Sequence, residues 1–430
     1  MFANYAGHLA ALVMSRGAVQ NFWELVLMDA VGSPIMNHLN VFALLVALLL
    51  TPFVRSQEPP RRASSNNDIA FQLLRQFDLG NQIISPHSIR TAFALCVAGS
   101  DGATKKEIEQ VLGLGGGVKT HAEIAKLQAE LDAAGRGKIK LRAANRLWGD
   151  DQGGYFEQPY LDFTRKYYGA GFSPVDFGRP EVARGVINRW VSDLTAGNIP
   201  QLLPKESITA DTAMVITNAI YFLGHWQEKF DVNRTRDMLF HVNAKENVQV
   251  PFMQRTGEYG VAETQGCTAL ALPYQGGELR MIVMLPDGDL AAFQKQLTGA
   301  TYAKLRAALR IEEVALSMPR FKLQEAYPLH SSVLPAMGMQ ASFAPSYDWK
   351  PLNGGKHQMY ISGVFHSAMI DVNESGTEAA AATAIVVPKE MACMSRGLRL
   401  DRPFAFAIEH TKTGHILFAG HVANPFRAKP

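Results

Sequence analysis

Three cysteines in 430 residues (Cys96, Cys267 and Cys393) are too few for a disulfide framework, and none forms a Cys-x-x-Cys pair suited to zinc or redox chemistry. Charge is scarce too: 19% of residues are charged, with 42 Lys plus Arg against 39 Asp plus Glu. The resulting net charge of +3 lacks the dense basic footprint of a nucleic-acid binder. Catalytic signatures are also missing, with no Gly-x-Ser-x-Gly elbow, no His-Glu-x-x-His helix and no nucleophilic cysteine beside a placed partner. A glycine-rich run at 113–120 carries Val118 where a phosphate loop needs glycine, and it follows a helix rather than a strand. His410, His415 and His421 flank a turn with no fourth ligand. No enzyme, cofactor or metal site is therefore expected. The longest uncharged apolar run near the start, Val41–Leu50, is ten residues, whereas about 20 are needed to cross a bilayer as a helix.

That run does suit the apolar region of a secretory signal peptide. Val54-Arg55-Ser56 closes it with small residues at the third and first places before the cut, and Met36 is the more natural start. The sequence predicts a signal region over 1–56 with cleavage after Ser56, followed by one domain over 57–430. A secreted, extracellular protein is expected, with Asn233-Arg-Thr235 as a glycosylation sequon in a polar stretch.

What is present is a hydrophobic fraction of 47%, ample for a large core. Apolar residues recur at helical spacing over 67–76, and Ser85-Pro86 reads as a helix start with a serine cap and proline at the first turn. Thr104 and Glu107 have capping-box spacing. Further helices are expected over 121–133, 158–168 and 181–196. Strand-like runs follow at 212–222, 270–274, 279–285, 315–321, 361–372, 404–410 and 416–421. With helices leading, strands following and no repeat or linker, the class is α+β in one domain.

The segment 371–392, DVNESGTEAAAATAIVVPKEMA, stands apart. Alanine favours helix, yet no apolar stripe exists for such a helix to bury. As a strand, Thr377, Ala379, Ala381 and Thr383 share one narrow face, suited to sliding between two other strands. At this point the chain resembles the serpin family, across about residues 67–426. Glu374-Ser-Gly376-Thr377-Glu-Ala-Ala-Ala-Ala-Thr383 is similar to the hinge of inhibitory serpins. Asn145-Arg-Leu-Trp148, Asn188-Arg-Trp190, Thr217-Asn218, Gly224-x-Trp226, Leu272-Pro273-Tyr274 and Arg402-Pro403-Phe404 fit the same pattern.

The resemblance implies a serpin fold of three β-sheets with eight or nine helices and an exposed reactive-centre loop at about 374–400. It implies a monomeric inhibitor that traps a target serine peptidase covalently. It places Ser85, Ser88, Asn218 and His366 in a shutter beneath the central sheet, and Trp190 at the breach where the loop enters. Counting from the hinge glutamate puts the reactive bond at Glu390–Met391, with Lys389 and Arg396 as alternatives. A non-inhibitory serpin (carrier, chaperone or storage protein) is the rival, disfavoured by the small side chains on the hinge's incoming face. A glycosaminoglycan partner finds weak support, since Glu123, Glu130 and Asp132 interrupt the basic residues Lys119, Lys126, Arg136, Lys138, Lys140 and Arg142. Cys393 reads as a tolerated surface thiol, the alternative being a disulfide-linked dimer.

Overall fold

The computed structural model describes residues 66–426, apart from 116, 135–138, 152–155, 170, 265 and 378–395. Its helices are α1 (Asn66–Leu74), α2 (Pro86–Gly99), α3 (Gly102–Leu112), α4 (Val118–Ala134), α5 (Gln158–Tyr168), α6 (Pro180–Leu194), α7 (Leu290–Gln296) and α8 (Gly299–Ala308). Two four-residue helices follow, α9 (Val333–Ala336) and α10 (Lys350–Asn353). The strands are β1 (Gln82–Ile84), β2 (Ile139–Asp150), β3 (Phe172–Val175), β4 (Met214–His225), β5 (Arg236–His241), β6 (Asn247–Thr264), β7 (Cys267–Pro273) and β8 (Leu279–Pro286). They continue as β9 (Arg310–Pro319), β10 (Phe321–Pro328), β11 (Ile361–Asn373), β12 (Gly376–Thr377), β13 (Arg396–Arg399), β14 (Phe404–His410) and β15 (Ile416–Val422).

Six strands form one sheet in the order β10-β11-β12-β4-β2-β3. The other nine are linked through β6, which pairs β5 over 247–252, β7 over 260–264 and β9 along 252–261. One strand thereby serves two parts of the molecule. One part is β5, β9 and β13; the other runs β7-β8-β14-β15-β1. With the six-stranded sheet these account for the three sheets of the expected α+β fold.

Helix α2 sets the position of the site. Its sequence is apolar nearly all round, and it is buried against β2, β4 and β15. Ser85 caps it as the sequence predicts, accepting from the Ser88 amide, with Pro86 in the first turn. The capping box expected at Thr104 does not form. Helix α3 begins earlier, at Gly102, and the Thr104 amide donates to Asp348 Oδ2. The Glu107 carboxylate instead accepts from the amides of Gln340, Ala341 and Ser342, tying α3 to a distant turn.

Candidate functional site

The centre of the six-stranded sheet is a seam between β4 and β11. From Ile361 to Met369, β11 pairs β4 directly and in parallel. Further up the strands part, and the two residues of β12 stand between them. Thr377 is paired with Val372 on one side and Gly224 on the other; Gly376 lies between Asn373 and His225.

Glycine is required at 376 on two counts. Its φ is +148°, and a Cβ there would lie 2.1 Å from the Gly224 carbonyl oxygen. Thr377 is wholly buried, and its hydroxyl lies 2.8 Å from the Tyr274 hydroxyl. Trp226 stacks on Tyr274 at 4.7 Å and donates its indole N–H to the Asn373 carbonyl at 2.9 Å. The Trp226 and Phe230 amides donate to the carbonyls of Ser375 and Glu374. The Glu374 carboxylate, itself buried, accepts from Arg320 Nε at 2.7 Å and from the Thr235 hydroxyl. The chain leading into β12 is therefore held at nearly every polar atom.

Beneath the closed part of the seam lies a polar cluster. His366 and Asn218 face each other across it in register, with His366 Nδ1 hydrogen-bonded to Asn218 Oδ1. His366 Nε2 accepts from the Ser85 amide at 3.1 Å, so the ring is neutral with its proton on Nδ1. Burial holds the ring's pKa down at about 3, which keeps that tautomer in place. Asn218 Nδ2 donates to Ser88 Oγ at 2.7 Å and to Asn145 Oδ1 at 2.5 Å, and Ser88 Oγ donates to Asn145 at 2.8 Å. Ser85 Oγ donates to the Leu417 carbonyl at 2.6 Å. The structure thus brings Ser85, Ser88, Asn218 and His366 together, and it adds Asn145. The sequence marks Asn145 only as the first residue of the Asn145-Arg-Leu-Trp148 motif, and nothing in that motif ties it to the other four.

Trp190 is not where the sequence reading put it. It lies on α6, edge-on to Trp148 at 5.3 Å with the Arg146 guanidinium 4.2 Å from its ring centre. That helix shares a core cluster with Val215, Ala219 and Phe365 in the closed part of the seam, and the tryptophan beside β12 is Trp226. Arg396 is also corrected: it opens β13, paired with Val314 of β9, and its guanidinium meets Glu263. A residue fixed in a ladder is poorly placed as a cleavage site. Ala379, Ala381, Thr383, Lys389, Glu390, Met391 and Cys393 lie outside the described residues. So do Arg136 and Lys138; Lys119 pairs with Glu123 at 3.9 Å on an exposed face. Asn233 is exposed in a one-turn 3-10 helix.

A family model described as Serpin (serine protease inhibitor) matches residues 64–425. The chain belongs to the serpin family. This serpin is 37% identical over 382 residues to a leukocyte elastase inhibitor of Equus caballus, covering 84% of this chain and 99% of that protein. It is 36% identical over 380 residues to serpin B6 of Macaca fascicularis, at the same coverages. Among solved structures it is similar to Serpin48 of Tenebrio molitor, with a TM-score of 0.75 and 27% identity over 87% of this chain and all of that one. Serpins are protease inhibitors rather than catalysts, and serine protease inhibition is the activity the relatives support. The expectation of a secreted, extracellular protein is overturned, because the leukocyte elastase inhibitors and serpin B6 are intracellular serpins. The comparisons lend no support to a glycan at the Asn233 sequon.

Proposed function

We propose that this serpin acts as a suicide substrate. A serine peptidase attacks the loop that follows Thr377 and forms an acyl-enzyme. The freed strand then runs down between β4 and β11 before water can release the enzyme. The observation that carries this reading is the seam itself, parted only at its upper end with Gly376 and Thr377 already in the first two places. Insertion would extend β12 by alternate small residues, Ala379, Ala381 and Thr383, on the buried face. About ten new ladder bonds at roughly 0.5–1.5 kcal/mol each give on the order of 10 kcal/mol to distort the captured enzyme.

The reactive bond is proposed at Glu390–Met391 from the hinge count. The name of the leukocyte elastase inhibitors points to an elastase-like target, for which cleavage after Met391 is the alternative. The test is incubation with elastase-, chymotrypsin- and trypsin-like peptidases, followed by a denaturing gel and mass determination of the released C-terminal fragment. A covalent complex resistant to denaturant is the expected result, with the fragment beginning at Met391. Cleavage without any complex would rule out trapping, and a fragment beginning at Glu390 or Gly397 would move the bond.

A further inference from the structure

An aspartate or asparagine followed by glycine can react with its own main chain. The glycine amide nitrogen attacks the side-chain carbonyl carbon and closes a five-membered succinimide. The bond that breaks releases water from a carboxylic acid or ammonia from an amide, and the amide proton leaves with it. Water then opens the ring, and opening at the main-chain carbonyl leaves isoaspartate. Glycine favours the attack because it has no Cβ and leaves the backbone free to turn. The sequence holds three such pairs, Asp101-Gly102, Asp287-Gly288 and Asn353-Gly354.

Asn353-Gly354 is the most reactive pair as sequence, since a side-chain amide closes the ring faster than a carboxylate. The fold shuts it. Asn353 is buried, its Nδ2 donates to the His357 carbonyl at 2.8 Å, and its Oδ1 accepts from the Gly355 amide at 2.9 Å. The Gly354 amide, which would have to attack, donates to the Lys350 carbonyl at 2.8 Å at the end of α10. Asp101-Gly102 is fixed at the start of α3. The Asp101 amide donates to the Asp348 carbonyl at 2.6 Å, its carbonyl accepts from the Lys105 amide, and a Cβ on Gly102 would lie 2.4 Å from Asp348 Oδ1. A carboxylate beside Gly102 opposes loss of a proton from its amide. Asp287-Gly288 differs on each count. It lies in the exposed link between β8 and α7, and neither the Asp287 carboxylate nor the Gly288 amide has a hydrogen-bond partner among the described residues.

We propose that Asp287-Gly288 is a site of spontaneous isoaspartate formation, open to a carboxyl methyltransferase, and that folding shields the other two pairs. The methylene added to the main chain lies two residues before Asp289, whose carboxylate caps α7 through the Ala291 amide. The site is independent of the inhibitory reading, so failure of either leaves the other standing.

Prolonged incubation of the full chain at physiological temperature and about pH 6, where an ordinary aspartate keeps some of its acid form, tests this. Isoaspartate is counted by methyl transfer from radiolabelled S-adenosylmethionine with an isoaspartyl methyltransferase. It is located by electron-transfer fragmentation of the tryptic peptides 91–105, 281–295 and 323–356. In the folded chain it should accumulate in 281–295 alone. In urea, deamidation at Asn353 should overtake it, which shows that the fold and not the sequence sets the order. Gly288→Ala should slow accumulation severalfold by obstructing the attack. Gly288 does not sit at positive φ and a Cβ there would meet nothing within 4 Å, so the variant should keep its melting temperature. An unmodified 281–295, isoaspartate at either other pair in the folded chain, or an undiminished rate in Gly288→Ala would overturn the proposal.

Discussion

The two halves of the β4–β11 seam are built differently. In the lower half the strands pair directly, and His366 meets Asn218 across the join with Ser85, Ser88 and Asn145 satisfying the remaining polar atoms. In the upper half the strands stand apart, filled by a glycine at positive φ and one buried threonine. The closed half is held by a hydrogen-bond network that crosses the join, so separating the strands must break it. The open half selects by volume and backbone conformation. Parting a sheet thus costs most at one polar cluster, while admission at the top depends on the size of the incoming side chain.

The sharpest way to break this contrast is Thr377→Arg. Arginine would carry a charge into a place where the described neighbours are Tyr274, Val372 and Gly224, at a cost of several kcal/mol. The variant should fold and be cleaved at the same bond, but on a denaturing gel nearly all of it should appear as cut substrate rather than complex. Glu378→Arg, of opposite strand parity, should change this partition far less.

Asn218→Ala tests the other half. It removes the amide that serves Ser88, Asn145 and His366 together, and should lower stability by about 2–4 kcal/mol in urea denaturation. Arg320→Ala leaves the buried Glu374 carboxylate with Thr235 alone. Because the Arg320 side chain is 40% exposed, the loss should be smaller, about 1–2 kcal/mol, with faster proteolysis at the hinge as the readout.

A further test concerns pH. His366 is neutral in the fold down to about pH 3, whereas an unfolded histidine takes up a proton near 6.5. Its contribution is therefore complete above pH 6.5 and is lost as pH falls from there toward 3, at about 1.4 kcal/mol per pH unit at most. His366→Gln keeps a donor and an acceptor without the titration. Its unfolding free energy, measured from pH 6.5 to 4.5, should fall less steeply than that of wild type.

Much of this was legible in the sequence, for identifiable reasons. Strand β11 reads plainly because ISGVFHSAMIDVN is apolar at seven of its thirteen positions, four of them β-branched, as befits a strand buried on both faces. Strand β6 does not, since Pro251, Gly257 and Gly260 interrupt it, and its length comes from serving two neighbouring parts of the fold. The four shutter residues could be named by their order along the chain, but Asn145 joins them only through the β2–β4 register, which sets it opposite Asn218. The tryptophans show the limit most clearly. Trp190 and Trp226 both sit in recognisable motifs, yet only the packing on Tyr274 distinguishes the one at the entry point.

The central claim is that the seam accepts the loop as a new strand, and thermal denaturation after a single cut in the loop by a non-target peptidase tests it most directly. On the order of 10 kcal/mol from the added strand predicts a melting temperature roughly 10–15 °C above that of the uncut chain, a rise that Thr377→Arg should largely lose. An unchanged or lower melting temperature in the cut wild type would contradict the account.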